Sequence, residues 1–350
     1  TYSSLRSMGF TDPSKVRLFG YGGAVLPETD IQDLVDDLPE QPLWHADGSL
    51  LFYAAGPVSW EMNFKGEYIH KRNTYSEYGY YFLTDNVEGE PALFNQAPTD
   101  SITGTLIDVY PDFTLYDPDR FSWYRSGRRF FENYDYAYGN SRVYPFRLDG
   151  IIPDSVLMTV GFSTDCDVGS RLTVYVNGSE AGAVNLGIKG YNDVAYVADR
   201  SLMVNNLFDE KTDVKLVHER EGNPSGRLDY IRLNFKRRLA MYGSHTVFRT
   251  GADRQDVSFK ISGSSPGVRI WKISSDGTVS TVPSVYSDGI SVTQASDYEE
   301  TDLLIAVNVN GDFPEPETVG VIDNQNLHAL KDIEMVILVP ASGKLTVQAE

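Results

Sequence analysis

The chain reads as a mainly β, multidomain protein. It should hold β-sandwich modules of jelly-roll or immunoglobulin-like type behind a short mixed N-terminal region, with the start of an α/β unit at its end. Three observations predict this. From about residue 142 to residue 310, short runs with strand-like alternation follow one another, and Asn177-Gly178, Asp276-Gly277 and Asp288-Gly289 supply tight turns between them. Aromatic residues make up 12% of the chain, with 22 Tyr and 17 Phe, and 30 Gly serve the turns such a protein needs. The C-terminal stretch then changes character: residues 333–339 are a β-branched apolar run, Pro340 stops it, and Ser342 can cap a helix over 343–350. A strand leading directly into a helix opens a parallel α/β sheet.

At 350 residues the chain exceeds one ordinary core. We expect four parts: 1–118, mixed and mostly β; 119–240, a β-sandwich; 241–315, a second small β domain; and 316–350, the truncated opening of an α/β domain. Ser3 or Ser4 can cap a short helix that ends at Gly9. Residues 16–19 predict a strand closed by Gly20-Tyr-Gly-Gly23. Ile31, Leu34, Val35 and Leu38 fall at helical spacing, which predicts either a helix over 30–38 or a short extended loop. Asp47-Gly48 predicts a turn before a strand at 49–55, and further strands are expected at 78–84 and 103–110. Phe121, Tyr124 and Phe131 predict a helix over 119–134, at a cost of about 1 kcal/mol for Gly127 relative to Ala.

The sandwich strands are expected at 142–148, 155–164, 170–177, 181–186, 193–204, 213–221 and 227–239. The following module should place strands at 256–262, 268–274, 279–286, 290–294 and 302–310, with 246–262 as its link to the sandwich. Phe313-Pro-Glu-Pro-Glu317 reads as a spacer.

The net charge of −19 argues against a nucleic-acid partner, which demands clustered Lys and Arg. Lys236-Arg237-Arg238 is the one basic cluster, and it sits at a strand end. No 18-residue apolar stretch is present, so no transmembrane helix is expected. One cysteine excludes an internal disulfide and leaves the compartment open. The chain opens and closes mid-pattern, so we expect a portion of a longer protein with any export signal upstream.

Candidate chemistry is sparse. Gly20-Tyr-Gly-Gly23 lacks the spacing and the lysine of a phosphate loop and reads as a backbone device instead. Cys166 is flanked by Asp165 and Asp167, which disfavour the thiolate a nucleophile needs. The same loop lacks the spacing of a calcium site and reads as a surface turn. His45, His70, His218, His245 and His328 show no metal-ligand spacing, and His218 sits in an alternating strand. Trp44, Trp60, Trp123, Trp271, Tyr75, Tyr78, Tyr80 and Tyr81 suit either sugar stacking or core packing. No catalytic, cofactor-binding or metal residue is assigned, and no cofactor is expected.

Several ordered segments resemble one family. They are Val16-Arg-Leu-Phe-Gly-Tyr-Gly-Gly-Ala-Val-Leu-Pro-Glu28, Asp36-Asp-Leu-Pro-Glu40, Leu51-Phe-Tyr-Ala-Ala-Gly-Pro-Val-Ser-Trp60 and His70-Lys-Arg-Asn-Thr-Tyr-Ser-Glu-Tyr-Gly-Tyr-Tyr-Phe-Leu-Thr84. Together they resemble the non-catalytic front half of the type IX secretion sortases of Bacteroidetes, the PorU-like gingipain-type cysteine peptidases. Ser126-Gly-Arg-Arg-Phe-Phe-Glu132 is similar to that family's S-G-R-x-W-F-G-E segment, although Phe130 replaces the Trp and Phe131 directly precedes Glu132. Asn324-Gln-Asn-Leu-His-Ala-Leu330 and residues 335–350 look like the entry to its caspase-like α/β peptidase domain.

The resemblance implies export to the outer membrane or cell surface. It also implies a Cys/His dyad beyond residue 350 that removes the C-terminal signal of cargo proteins and attaches them to an anionic lipopolysaccharide. Implied partners are secreted cargo and other secretion components. The present residues would then form a non-catalytic scaffold, and His328 would not belong to the dyad. The alternative from the residues alone is a surface glycan-binding or adhesive β-sandwich protein.

Overall fold

The computed structural model describes residues 1–26, 37–96, 105–124, 127–249, 257–275, 277–294, 299, 301–322, 329–331 and 334–335. It divides into two units, Thr1–Phe313 and Pro314–Glu350. The first unit is built almost wholly of strands, as the sequence predicts.

A short helix, α1 (Tyr2–Ser7), opens the chain, and its cap is Thr1 rather than Ser3 or Ser4: the Thr1 hydroxyl accepts from the Ser4 amide at 3.1 Å. Then come β1 (Arg17–Gly22), β2 (Glu40–Gln41), β3 (Trp44–Ala46), β4 (Ser49–Leu51), β5 (Val58–Met62), β6 (Tyr68–Arg72) and β7 (Tyr80–Thr84). β1 is the centre of a small antiparallel sheet between β2 and β7, while β3–β4 and β5–β6 are separate hairpins. The expected strand over 49–55 ends at Leu51. The Gly20–Gly23 segment is indeed a backbone device. Gly22 has φ +76°, and a Cβ there would lie 2.8 Å from the Tyr81 hydroxyl and 3.0 Å from the Ala55 carbonyl.

β8 (Asn95–Gln96), β9 (Thr105–Ile107) and β10 (Val109–Tyr116) follow, the last two divided at Asp108 where one strand was expected. The described residues of 119–134 form no helix. They bend back on themselves, joined by a bridge between Phe121 and Phe131. The helical spacing of the aromatics is overridden by partners distant in sequence, described below.

The sandwich comprises β10 with β11 (Ser141–Arg147), β12 (Ile151–Thr164), β13 (Ser170–Val176), β14 (Ser179–Leu186), β15 (Tyr196–Asn205), β16 (Lys211–Glu219) and β17 (Gly226–Arg238). One antiparallel sheet has the order β10-β17-β12-β15 and the other β11-β16-β13-β14. Their inner faces share one core that includes Met158, Phe162, Leu172, Leu216, Leu228 and Ile231. Each such side chain stabilises the fold by roughly 1.5–3 kcal/mol through burial. Asn177-Gly178 makes the β13–β14 turn, with both residues at positive φ.

The next strands are β18 (His245–Phe248), β19 (Val257–Ser262), β20 (Val268–Ile273), β21 (Val279–Val282), β22 (Ser284–Ser287), β23 (Ile290–Gln294) and β24 (Leu303–Asn308). Pro283 divides what reads as one strand, since it cannot donate to a ladder. Two sheets form here, β18-β24-β20-β21-β8 and β22-β23-β19-β9. β8 and β9 join their edges in parallel, so residues before 118 complete sheets made mostly by residues after 240.

In the second unit no strand occurs among the described residues, and Val319, Val321 and Ile322 are exposed. The helical stripe at 30–38, His328, and the strand and helix expected at 333–339 and 343–350 fall wholly or mostly outside the described residues.

Candidate functional site

The site begins with a hairpin that sequence reading missed, although Val58-Ser-Trp-Glu-Met62 and Tyr68-Ile-His-Lys-Arg72 alternate around a turn at Asn63–Gly66. It lies on the outer face of β10 and β17, where Phe113, Leu115, Tyr230, Arg232 and Asn234 point away from the core. The Asn234 amide grips the backbone of Tyr68, accepting from its N–H at 2.7 Å and donating to its carbonyl at 3.2 Å. Trp60 stacks on Phe113 with centroids 3.8 Å apart, and the Arg249 guanidinium sits over Phe113 and Tyr68. A crevice of about 380 Å³ opens at the margin of this contact, lined by Val58, Trp60, Arg72, Leu115, Asp117 and Pro118.

Beside the crevice lies a row of charges. Across the sheet, Gly161 of β12 pairs with Asp199 of β15 on one side and Tyr230 of β17 on the other. The register of β12 and β17 then skips Asp229, a bulge that turns its carboxylate outward beside Tyr230. A Cβ on Gly161 would lie 2.7 Å from the Tyr230 ring, so the glycine leaves room for that ring. Asp117 and Asp119 follow the end of β10. Carboxylate oxygens of Asp117, Asp119 and Asp229 lie within 4.8 Å of one another.

Two guanidiniums reach into the row. Arg72 Nε is 2.8 Å from Asp117 and 3.2 Å from Asp119. Arg129 donates to Asp229 at 2.6 Å and to Asp199 at 2.7 Å. Burial, with the Asp117 charge adding to it, pushes Asp119 up to about 7. Burial likewise raises Asp229 to about 6 against the pull of Arg129. His70 stands beside them with its ring edge-on to Tyr230, and burial pushes it down to about 4, so it is neutral near pH 7. The arrangement fixes a hairpin to a sheet. Arg72 and Arg129 are the guanidiniums paired with its carboxylates.

The residues singled out from the sequence are scattered. Cys166 is buried rather than surface-exposed, while its neighbour Asp167 is exposed and pairs with Lys189 at 3.2 Å. The Cys166 thiol lies 3.0 Å from the Thr164 hydroxyl and 4.0 Å from His218 Nε2. His218 is buried, bonded to Ser170 at 3.0 Å and pushed down to about 4 by burial, with Arg220 adding to the effect. A neutral imidazole beside a sealed thiol is a packed polar pair. Sequence spacing gave no sign of it, since 52 positions separate the two residues. His45 meets Tyr2, and His245 lies near Phe313. Trp44 and Trp271 pack together with Phe94, and Trp123 donates to Ser163 at 2.9 Å. Tyr75, Tyr78 and Tyr80 are exposed.

The segment from Gly127 to Glu132 proves structural. Arg129 enters the charged row, Phe131 is buried, and Glu132 accepts from the Tyr116 and Tyr144 hydroxyls, each at 2.8 Å, with Arg142 at 2.9 Å. These distant partners are what hold residues 119–134 away from a helix.

Comparison with known proteins places this geometry. No family model and no curated sequence matches the chain. Among solved structures, dimeric latent PorU from Porphyromonas gingivalis superposes with a TM-score of 0.81 and 27% identity over 95% of this chain. The chain spans about a third of that protein, 32% of its length. A CBM36 domain of a multidomain xylanase from the hindgut metagenome of Trinervitermes trinervoides aligns with 35% of the chain at 15% identity, covering 96% of its own length. A family 35 carbohydrate-binding module from an environmental isolate aligns with 38% of the chain, also at 15% identity and with 98% of its own length covered. Both of these have TM-scores of 0.25, too low to bear on function. The chain has a PorU-like fold.

Proposed function

We propose that this chain is the non-catalytic front region of a PorU-like cysteine peptidase of type IX secretion, exported to the outer membrane or cell surface. The observation that carries the reading is the superposition on PorU over 95% of the chain at 27% identity. The ordered segments around Gly20–Gly23, 51–60, 70–84 and 126–132 support it independently of that superposition. The site agrees with it: the thiol is buried beside a neutral imidazole, and the charged row acts as a clamp. The β modules would brace a peptidase domain and offer surfaces to secreted cargo and other secretion components. The peptidase would remove the C-terminal signal of cargo and attach the cargo to the cell surface.

The test is incubation of this chain with cargo that bears a type IX C-terminal signal. No turnover is expected, and measurable cleavage would refute the reading. A second reading, a surface glycan-binding or adhesive β-sandwich, draws on Trp60 at the crevice and on the exposed Tyr75, Tyr78 and Tyr80. It requires saccharide binding that weakens on Trp60→Ala. A glycan array without ligands would dispose of it.

A further inference from the structure

The charged row is one cation short. Asp117, Asp119 and Asp229 have side chains that are 5%, 18% and 8% exposed, and Arg72 and Arg129 are the guanidiniums paired with them. Three desolvated carboxylates whose oxygens lie within 4.8 Å of one another cannot all stay ionised against two positive charges at small cost. The remaining facing groups do not close the gap. Arg232 of β17 is turned to His70 Nδ1 at 3.1 Å, and His70 is neutral. Arg120 is engaged by Glu77 at 2.5 Å. Asp199 of β15 adds a further negative charge, though a half-exposed one. Tyr230 is pushed above its ordinary range by burial and stays protonated. Arg249 lies over the Tyr68 and Phe113 rings.

The row also lies at a contact between parts. Arg72 belongs to the β5–β6 hairpin, Arg129 to the bent segment, Asp229 to the sandwich sheet, and Asp117 and Asp119 to the chain joining them. Besides the aromatic stack on Phe113, the hairpin is held by the Asn234 grip and by this ionic row. A contact of that kind opens at lower free energy than a shared apolar core.

We propose that Asp119 and Asp229, packed against Asp117, retain one exchangeable proton in place of a third cation, and that this proton governs how firmly the β5–β6 hairpin stays seated on the sandwich. The high position of Asp119 identifies it as the main holder, donating to Asp117. The sign follows from linkage. A carboxyl raised from 3.8 to about 7 binds its proton in the seated form and releases it in the open form, so seating is firmest below the ordinary carboxylate range and is lost as pH rises toward 7. His70 acts oppositely: it is neutral when seated and gains a proton when released, which loosens the hairpin as pH falls from 6.5 toward 4. Comparison with an Asp119 variant removes the His70 contribution.

The experiment is amide hydrogen exchange of β5 and β6, read as a ratio to β13 in the same sample so that intrinsic pH effects cancel. Relative to Asp119→Asn, opening of the wild-type hairpin should increase by about tenfold or more between about pH 5.5 and 7.5. An identical pH response in the two proteins overturns the proposal. Calcium at about 1 mM that restored protection at the higher pH would make the row a cation site and also overturn it. Should Asp119→Asn fail to fold, NMR titration of wild-type protein carrying carboxyl-labelled aspartate still decides. One carboxyl titrating near neutrality is expected, and all aspartates titrating in the ordinary range would end the idea.

Discussion

Glu132 is the residue whose role differs most from its appearance in sequence. In the motif it follows two arginines and two phenylalanines and could pass for a surface acid. In the fold it is buried and accepts from Tyr116, Tyr144 and Arg142. Truncation would take the acceptor from the Tyr116 hydroxyl, leave Tyr144 with Tyr136 alone, and remove the carboxylate that faces Arg142. Glu132→Ala should therefore cost about 3 kcal/mol, measured by urea unfolding. Arg147, exposed and paired with Asp149 two positions on, should leave the midpoint unchanged when replaced by Ala. Buried histidines set a pH response of their own. His218 is held at about 4 when folded against 6.5 when free, so its contribution is complete above 6.5 and is lost as pH falls from 6.5 toward 4. His218→Gln should flatten the stability curve in that window, and an unchanged curve would show that the imidazole titrates normally. These roles were illegible beforehand because burial and partners are set by tertiary contacts. Only the parity of Val214, Leu216 and His218 along β16 hinted that the imidazole faces the core.

Elements were legible where one face is buried and the other wet. The sandwich strands emerge from alternation, with ends shifted by a few residues, because period-two patterning is enforced along the whole sheet. The helix over 119–134 fails for the opposite reason. Phe121 and Phe131 share a helical spacing, yet each is held by cross-chain contacts, Phe121 beneath the Arg227 guanidinium at 3.6 Å and Phe131 against Phe121 itself. The β5–β6 hairpin carries alternation too, but in β6 the apolar Ile69 faces out while His70 and Arg72 face in, which a hydrophobic pattern does not register. Its seating rests on single residues. Asn234→Ala should release the backbone of Tyr68 and cost about 1–3 kcal/mol, with exchange rising in β6 before it rises in β13. Gly22→Ala forces a side chain at φ +76° against Tyr81 and Ala55, so a loss of about 1–3 kcal/mol confined to β1 and β7 is expected. Unchanged amide exchange in β1 and β7, relative to β13, would contradict that expectation.

At the scale of the whole molecule, the first unit combines small hairpins and two sandwich-like pairs of sheets, and the joins between them are non-local. β8 and β9 cross from the N-terminal region to edges of sheets built some 150 residues later in the chain, and no local pattern announces a parallel edge pairing of two or three residues. The family resemblance was legible because short ordered motifs survive where overall identity is 27%. The charged groups of the row, Arg72, Arg129, Asp117, Asp119 and Asp229, join parts distant in sequence, and no local pattern announces that either. The measurement that bears most directly on the proposed function is processing of cargo with a type IX C-terminal signal by the PorU-like peptidase we propose this chain to belong to, with and without Cys166→Ala. Unchanged release of the C-terminal signal is predicted, because the Cys166 thiol is buried and the proposed reading puts the nucleophile outside this chain. Abolished processing by a folded Cys166→Ala protein would contradict it.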